Sequence, residues 1–263
     1  QAVAGLLHDI ATPAFAHVID FLNGDHLMQT STESRTRNII EQDAQLCSLL
    51  HRHGLHIDDV ADYHLYPIAD NDTPRLSADR MEYTLGNIVN YGFADTDTVA
   101  RIYDHLCVTT AEDGQPELAF SDGDEACLFG SLMLRCAAIY VSDADRYAMQ
   151  RLSMLIARAI ERGVLAYNDL WQTEPDVIRL LLSDPVTAQG WNDFCSIRRV
   201  ICTDNRPAEG IWLRVNAKRR YINPLVCIGH QTCRLTDIDA AFKQQLEDFT
   251  HQSFDYLIGE PVT

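Results

Sequence analysis

The sequence predicts a mainly α-helical protein with a small antiparallel β-containing subdomain at its C-terminal end. Apolar residues recur at helical spacing through the first 195 residues, whereas the later residues form short β-branched or alternating runs between prolines and glycines. A chain of 263 residues with 46% hydrophobic content can bury one substantial core with a small appendage. We therefore predict a helical domain over residues 1–195 and a small α+β subdomain over residues 196–263.

The first half of the chain is predicted to be a series of helices that end before residue 107. Gly54 and Gly92 each follow an apolar-periodic segment and act as stop signals. Ser77 is a suitable N-cap for the helix that starts at residue 78. The predicted helices cover residues 2–9, 14–22, 33–40, 44–52, 57–63, 78–91 and 97–106.

The second half begins with a predicted hairpin at residues 108–120, for which Asp113-Gly114 supplies the turn. Helices are expected at residues 125–141, 143–161 and 175–182. Beyond residue 195, strands are expected at residues 199–202, 211–215 and 220–228, followed by a helix at residues 237–250 and a last strand at residues 254–258. These C-terminal strands predict a small antiparallel sheet.

The chain is strongly acidic, with 38 acidic against 21 basic residues and a formal net charge of -17. Its long-range field repels both phosphate backbones and anionic membranes, so we expect neither nucleic acid nor a membrane as a partner. One basic run, Lys218-Arg219-Arg220, stands against this background. It is either a set of solvated surface charges, the commoner interpretation, or a secondary site for a nucleotide or phosphoryl group.

The eight cysteines show no Cys-x-x-Cys pair and no regular spacing. They are interpreted as free thiols in a reducing compartment. Cys227, His230 and Cys233 form a candidate zinc half-site, but no second pair accompanies them. The sequence has no apolar run as long as a bilayer span and no signal-type start, so a cytoplasmic location is expected.

The most informative motif is His8-Asp9, at the end of the first predicted helix. An adjacent imidazole and carboxylate suit a hard or borderline divalent cation, although such a pair is often a helix cap or an exposed face. Asp79 lies in the first turn of a later helix, with Tyr83 one turn further along the same face. A carboxylate in a first turn also complements the helix dipole, so capping is the alternative role for Asp79.

Two segments, taken in order, resemble motifs of the HD superfamily of metal-dependent phosphohydrolases. The first is Leu6-Leu7-His8-Asp9-Ile10, followed by His17 and Asp20, and the second runs from residue 78 to residue 85. The resemblance covers the first 110 residues and is closest to the dGTPase and dNTP triphosphohydrolase branch and to small bacterial HD-domain proteins. The later segment at residues 220–225, Arg-Tyr-Ile-Asn-Pro-Leu, resembles a segment of the same small proteins.

The resemblance implies an HD-type helical core, a metal site and a hydrolytic function. Its metal ligands would be His8, Asp9 and Asp79, which hold a divalent ion such as Mn, Mg, Fe, Ni or Zn. The catalytic positions would be His17, Glu33 and Asp9, and the substrate-binding positions His17, Tyr83 and Asp20. The implied substrate is a nucleotide or another phosphoester or phosphoanhydride, attacked by metal-activated water. Because relatives commonly form dimers or larger closed assemblies, a homo-oligomer is a further hypothesis.

Three departures from the family pattern bear on activity. The family's first ligand histidine lies one helix before the His-Asp pair, and residues 1–7 contain no histidine. Since the chain begins with Gln, an N-terminal piece is expected to be missing from it. Thr12 and Thr32 stand where the family has histidines, and a threonine hydroxyl lacks a pKa suited to proton transfer. An active hydrolase and a degenerate HD domain that binds a nucleotide or protein partner without turnover both remain open, as does an all-α scaffold in which these residues are unrelated.

Overall fold

The computed structural model describes residues 1–29, 31, 35–229 and 231–261. The chain is 54% helical, and the described residues contain twelve α-helices and two small sheets. The prediction of a mainly α protein with a small β part is confirmed. None of the described helices is by itself long and apolar enough to cross a membrane.

Six helices precede the first strand, and the bounds of most predicted helices differ by a few residues from those observed. They are α1 (Ala2–Leu7), α2 (Val18–Asn23), α3 (Thr36–Gln42), α4 (Ala44–Arg52), α5 (Ala78–Asn90) and α6 (Thr96–Asp104). The predicted first helix ends at Leu7, because His8–Ala11 forms a 3-10 turn. The predicted helix over residues 57–63 was wrong, since 3-10 turns at Ile57–Asp59 and Tyr63–Leu65 take its place. Residues 33 and 34, the predicted start of the third helix, lie outside the described residues.

Six further helices follow: α7 (Gly123–Tyr140), α8 (Asp143–Glu161), α9 (Glu174–Leu182), α10 (Pro185–Ser196), α11 (Leu235–Ile238) and α12 (Ala240–His251). Side-chain caps explain several starts. Ser77 accepts a hydrogen bond from the backbone N–H of Arg80 at the start of α5, which confirms the predicted N-cap. Ser142 caps α8 in the same way by accepting from the N–H of Asp145.

The strands form two sheets, whereas the sequence predicted one antiparallel C-terminal sheet. The first sheet has the order β1-β2-β5-β6, formed by Leu106–Thr110, Pro116–Phe120, Leu225–Ile228 and Gln231–Arg234. The second has the order β3-β7-β4, formed by Ile201–Thr203, Leu257–Gly259 and Trp212–Leu213. Strand β5 pairs in parallel with β2 of the predicted hairpin, because this pairing places Val226 beside Phe120 in a buried apolar core.

The chain groups into two compact units, and each unit is built from three separate stretches. The first unit comprises residues 1–7, 54–140 and 219–252, and the second comprises residues 8–53, 141–218 and the described part of 253–263. Apolar residues of α5, α7, α12 and the β1-β2-β5-β6 sheet form the core of the first unit. Those of α2, α8, α9 and the segment around Leu170 form the core of the second. The predicted boundary at residue 195, between a helical domain and a small α+β subdomain, stays a prediction.

A buried carboxylate in the first unit is neutralised by an arginine from the strand two places away in the same sheet. Glu117 of β2 is fully buried, and the guanidinium of Arg234 on β6 lies 2.6 Å from its Oε1. The same guanidinium reaches the Glu112 carboxylate at 2.7 Å and holds the Glu112 pKa at about 2. The backbone N–H of Leu76 donates a third bond to Glu117. The ion pairs of Arg234 therefore connect the β1–β2 hairpin to β6, across β5.

The substitution Arg234→Met should destabilise the protein strongly, because it removes the nearer cation of the buried Glu117 and leaves only Arg75, whose Nε is 3.9 Å from the carboxylate. We expect a loss of about 3 kcal/mol or more in the free energy of unfolding, measured by urea denaturation. The control is Arg179→Met, which removes an exposed i,i+3 pair with Asp176 and should cost less than about 1 kcal/mol. Equal losses in the two variants would show that the buried pair contributes no more than a surface pair.

Candidate functional site

His8 and Asp9 open the 3-10 turn and lie side by side in the second unit. The His8 Nε2 atom is 3.2 Å from Asp9 Oδ2, and the hydroxyl of Thr12 donates to Asp9 Oδ1 at 3.3 Å. His8 is mostly buried, with 19% of its side chain exposed, whereas the Asp9 side chain is 70% exposed. The pair therefore presents a carboxylate to solvent while its imidazole is held in the protein.

The Asp9 carboxyl is held in its ionised form. The hydrogen bond from His8 is the main cause that lowers the Asp9 pKa, and burial opposes it. The positive potential of His8, the Thr12 hydroxyl and the positive potential of His17 lower it further. An ionised carboxylate beside an imidazole is the donor chemistry that a divalent cation uses.

A second histidine–aspartate pair lies close to the first, in the same unit. His17 precedes α2, and its Nδ1 atom is 2.8 Å from Oδ2 of Asp20 in the first turn of that helix. The Asp20 carboxylate is fully buried, whereas the His17 side chain is 39% exposed. A buried carboxylate bonded to one ring nitrogen fixes the orientation of the imidazole, as in many sites that use histidine for proton transfer.

The turn that leads into His17 has a strained backbone. Phe15 and Ala16 adopt left-handed φ angles of 62° and 46°, which cost L-residues about 1–2 kcal/mol each. The backbone N–H of Ala14 donates to the carbonyl of Leu170 at 2.7 Å and helps to hold this turn. The predicted helix over residues 14–22 was therefore wrong at its start, because the chain becomes helical only after His17. Strain of this kind clusters at functional sites.

Asp145 is a site residue that the sequence analysis missed. Burial raises its pKa to about 6, while the positive potentials of His17 and Arg146 lower it. It lies in the first turn of α8, after the Ser142 cap, where an aspartate is an ordinary helix-start residue. No sequence signal distinguishes it from a capping residue, because only the tertiary structure brings it near His17. A carboxyl with a strongly perturbed pKa near a histidine is a candidate acid–base group.

Asp79 and Tyr83 belong to the first unit, on α5. The backbone N–H of Asp79 donates to the carbonyl of Ala69 at 3.1 Å. Tyr83 is buried enough that its pKa is raised, although the Arg220 guanidinium opposes this by charge and by a hydrogen bond. The neighbouring cavity has a volume of about 10 Å³, which suits a single water molecule. The predicted contact of Tyr83 with a sugar or base stays a prediction.

The structure brings part of the predicted site together. His8, Asp9, His17 and Asp20 share the second unit, whereas Asp79 belongs to the first. Within the described ranges, no group of three His, Cys, Asp or Glu side chains is arranged to hold a metal ion. The donor chemistry of His8 and Asp9 fits two ligands of a divalent cation, and the full set with Asp79 stays a prediction. Glu33, like Thr32, lies outside the described residues.

Comparison with known proteins gives two curated relatives. The uncharacterised protein YdhJ of Bacillus subtilis is 26% identical over 187 residues, which are 69% of this chain and 54% of that protein. The metal-dependent phosphohydrolase cns2 of Cordyceps militaris is 24% identical over 183 residues, 65% of this chain and 50% of that protein. The chain thus spans about half the length of the curated relatives it matches. No family model matches the chain, and no solved structure matches it significantly.

The substitution Asp145→Asn should stabilise the protein at neutral pH and lose this effect in acid. The Asp145 pKa is raised from 3.8 to about 6, so its contribution to stability is complete below pH 3.8 and is lost as the pH rises through 6. Asparagine has no carboxyl group to ionise, so the variant does not lose stability as the pH rises through 6. We expect a gain on the order of 1 kcal/mol at pH 7.5 and none near pH 3.5, measured by thermal unfolding across the pH range. The exposed Asp204→Asn control should show no such pH dependence. A gain that is the same at both pH values would contradict the raised pKa.

The substitution Ala16→Gly should be neutral or stabilising, because glycine adopts a left-handed φ without strain. We expect a change between zero and a gain of about 1 kcal/mol in urea denaturation. The matched control is Ala188→Gly inside α10, where the same change should cost about 1 kcal/mol. A loss at Ala16 as large as that at Ala188 would show that the left-handed turn is not strained.

Proposed function

We propose that this chain is a metal-dependent phosphohydrolase of the HD type, which hydrolyses a phosphoester or phosphoanhydride through metal-activated water. A nucleotide is the leading substrate class. The observation that carries the proposal is the ionised Asp9 carboxylate held 3.2 Å from His8, with the His17–Asp20 pair close by. The similarity to a protein named as a metal-dependent phosphohydrolase supports the same general class.

In this proposal His8 and Asp9 supply two metal ligands, and Asp79 supplies a third. When bound there, a divalent cation would supply Lewis-acid chemistry, which means polarisation of a phosphate oxygen and a lowered pKa of a water molecule. Because a mixed imidazole and carboxylate set does not discriminate sharply among metals, Mn, Mg, Fe, Ni and Zn remain candidates.

The other side chains of the site act on the substrate and on protons. His17, fixed by the buried Asp20 carboxylate, binds a phosphate oxygen or moves a proton to the leaving group. Asp145, whose raised pKa of about 6 lies near the working range of acid–base groups, is the proposed proton partner of His17. Glu33 orients the phosphate or the attacking water, and Tyr83 packs against the sugar or base. The roles of His17, Glu33 and Tyr83 follow the motif positions, whereas that of Asp145 rests on its raised pKa near His17.

A second candidate function is binding of a nucleotide or protein partner without turnover. Thr12 favours it, because a hydroxyl without a usable pKa stands where the family has a histidine. The Thr12 hydroxyl donates a hydrogen bond to Asp9 Oδ1, so one lone pair of this carboxylate oxygen is already engaged. Thr32, a second position of this kind, favours the same alternative.

The deciding experiment measures metal content and hydrolysis in the full-length protein. Nucleoside triphosphates and simple phosphoesters are offered with Mn²⁺, Mg²⁺, Fe²⁺, Ni²⁺ or Zn²⁺. We expect stoichiometric metal and hydrolysis, with kcat lowered about 100-fold or more in His17→Ala, since a positioned acid or base contributes about 10²–10⁴-fold. Asp9→Asn should lose both metal and activity, while Asp204→Asn should retain both. Metal without hydrolysis of any substrate would favour the binding function, and a protein without metal in every preparation would overturn the proposal.

A further inference from the structure

Two cysteines far apart in sequence lie next to each other on one face of the β1-β2-β5-β6 sheet. Cys107 on β1 is opposite Ala119 on β2, and Ala119 is opposite Leu225 on β5. Side chains two residues apart on a strand share a face, so Cys227 is on the same side as Leu225 and Cys107. Their Sγ atoms are 3.8 Å apart.

The residues around the two thiols explain how they meet across the middle strand. The side chain of Ala119 is a single methyl group, so it leaves space above β2 that a larger residue would fill. Cys107 Sγ lies 3.6 Å from the carbonyl oxygen of Ala119, and Cys227 Sγ lies 3.9 Å from the hydroxyl of Thr232. Both cysteines are partly exposed, so the space between the sulfurs can be reached from solvent.

The separation of the sulfurs matches a shared metal ion better than a disulfide. A disulfide requires about 2.05 Å between the sulfurs. Two thiolates bound at about 2.2–2.3 Å to one trigonal or tetrahedral ion are themselves about 3.6–4.0 Å apart, whereas a linear two-coordinate ion needs about 4.4 Å. The observed 3.8 Å lies within the range for a three- or four-coordinate ion. Thiolate ligands favour soft cations such as Cu(I) over the hard cations that carboxylates bind.

We propose that Cys107 and Cys227 form a two-thiolate binding site for a soft cation of the Cu(I) type. The site lies within the first unit and is independent of the proposed phosphohydrolase site. On the same face of the sheet, Glu117 is paired with Arg234, so its carboxylate is already engaged and the thiols are the proposed donors.

The zinc half-site expected from Cys227, His230 and Cys233 is a different arrangement. Val226 pairs with Cys233 and Cys227 pairs with Thr232, so the side chains of Cys227 and Cys233 point to opposite faces of the sheet. These two cysteines therefore do not share an ion. His230 lies outside the described residues.

Proton release gives the site a distinctive signature. Burial, together with a hydrogen bond and the charge of Cys227, raises the pKa of Cys107 to about 11. Cation binding to thiolates displaces the protons that the thiols carry. Uptake of an ion should therefore release protons and should strengthen as the pH rises.

The test is an anaerobic titration of the full chain with Cu(I) against a coloured competing chelator. The background variant carries Cys195→Ser and Cys202→Ser, because these exposed thiols would add nonspecific uptake. We expect one equivalent of Cu(I), with the affinity lowered at least 10-fold by either Cys107→Ser or Cys227→Ser. The matched control Cys233→Ser, on the opposite face, should leave the affinity unchanged. Proton release in weak buffer is measured in parallel.

Three outcomes would overturn the proposal: no Cu(I) uptake, unchanged uptake in either variant of the pair, or an equal loss in Cys233→Ser. Circular dichroism establishes that each variant is folded. If a serine variant is misfolded, the corresponding alanine variant is measured instead, since Ala119 already shows that this face accepts a methyl group. If the folded background variant, which keeps both Cys107 and Cys227, leaves the Cu(I) on the competing chelator, the site is excluded.

Discussion

The pairing of Glu117 with Arg234 is the constraint on which the first unit depends. A carboxylate that is fully buried in a sheet has to be neutralised, and the cation comes from a strand more than 100 residues later in the chain. The pairing requires β6 to lie two strands from β2, with β5 between them. The parallel contact of β2 with β5, the buried position of Val226 and the proximity of Cys107 to Cys227 all follow from that strand order.

In the second unit, backbone geometry has a comparable role. The left-handed turn at Phe15 and Ala16 delays the start of α2, so that His17 lies at the helix entrance with Asp20 beneath it. If these residues instead formed a regular helix, each residue would turn the chain by about 100°, and the side chain of His17 would lie on another face. Local strain and the position of the imidazole are therefore two aspects of one arrangement, which also brings the positive potential of His17 near Asp9 and Asp145.

The sequence predicted what depends on local periodicity and missed what depends on distant partners. The helices Ala44–Arg52 and Asp143–Glu161 have the bounds that apolar spacing predicted, and in the structure Asp43 and Ser142 cap their starts. The hairpin was also evident, from its turn residues. The parallel β2–β5 contact and the role of Asp145 depend on residues about 100 or more positions away, and no single-sequence pattern encodes these. Of the candidate site, His8-Asp9 and His17 were recognisable by motif, whereas the full ligand set stays a prediction.

The division of each unit into three stretches has a consequence for biosynthesis. The last stretch of the first unit ends at residue 252, and that of the second unit follows it. A ribosome must therefore synthesise the chain beyond residue 218 to complete the first unit and beyond residue 252 to complete the second, and until then apolar surface of the earlier stretches stays exposed. Long-range assembly of this kind is slow relative to helical bundles with local contacts. Nascent chains of this protein should consequently depend on chaperones more than the high helix content suggests.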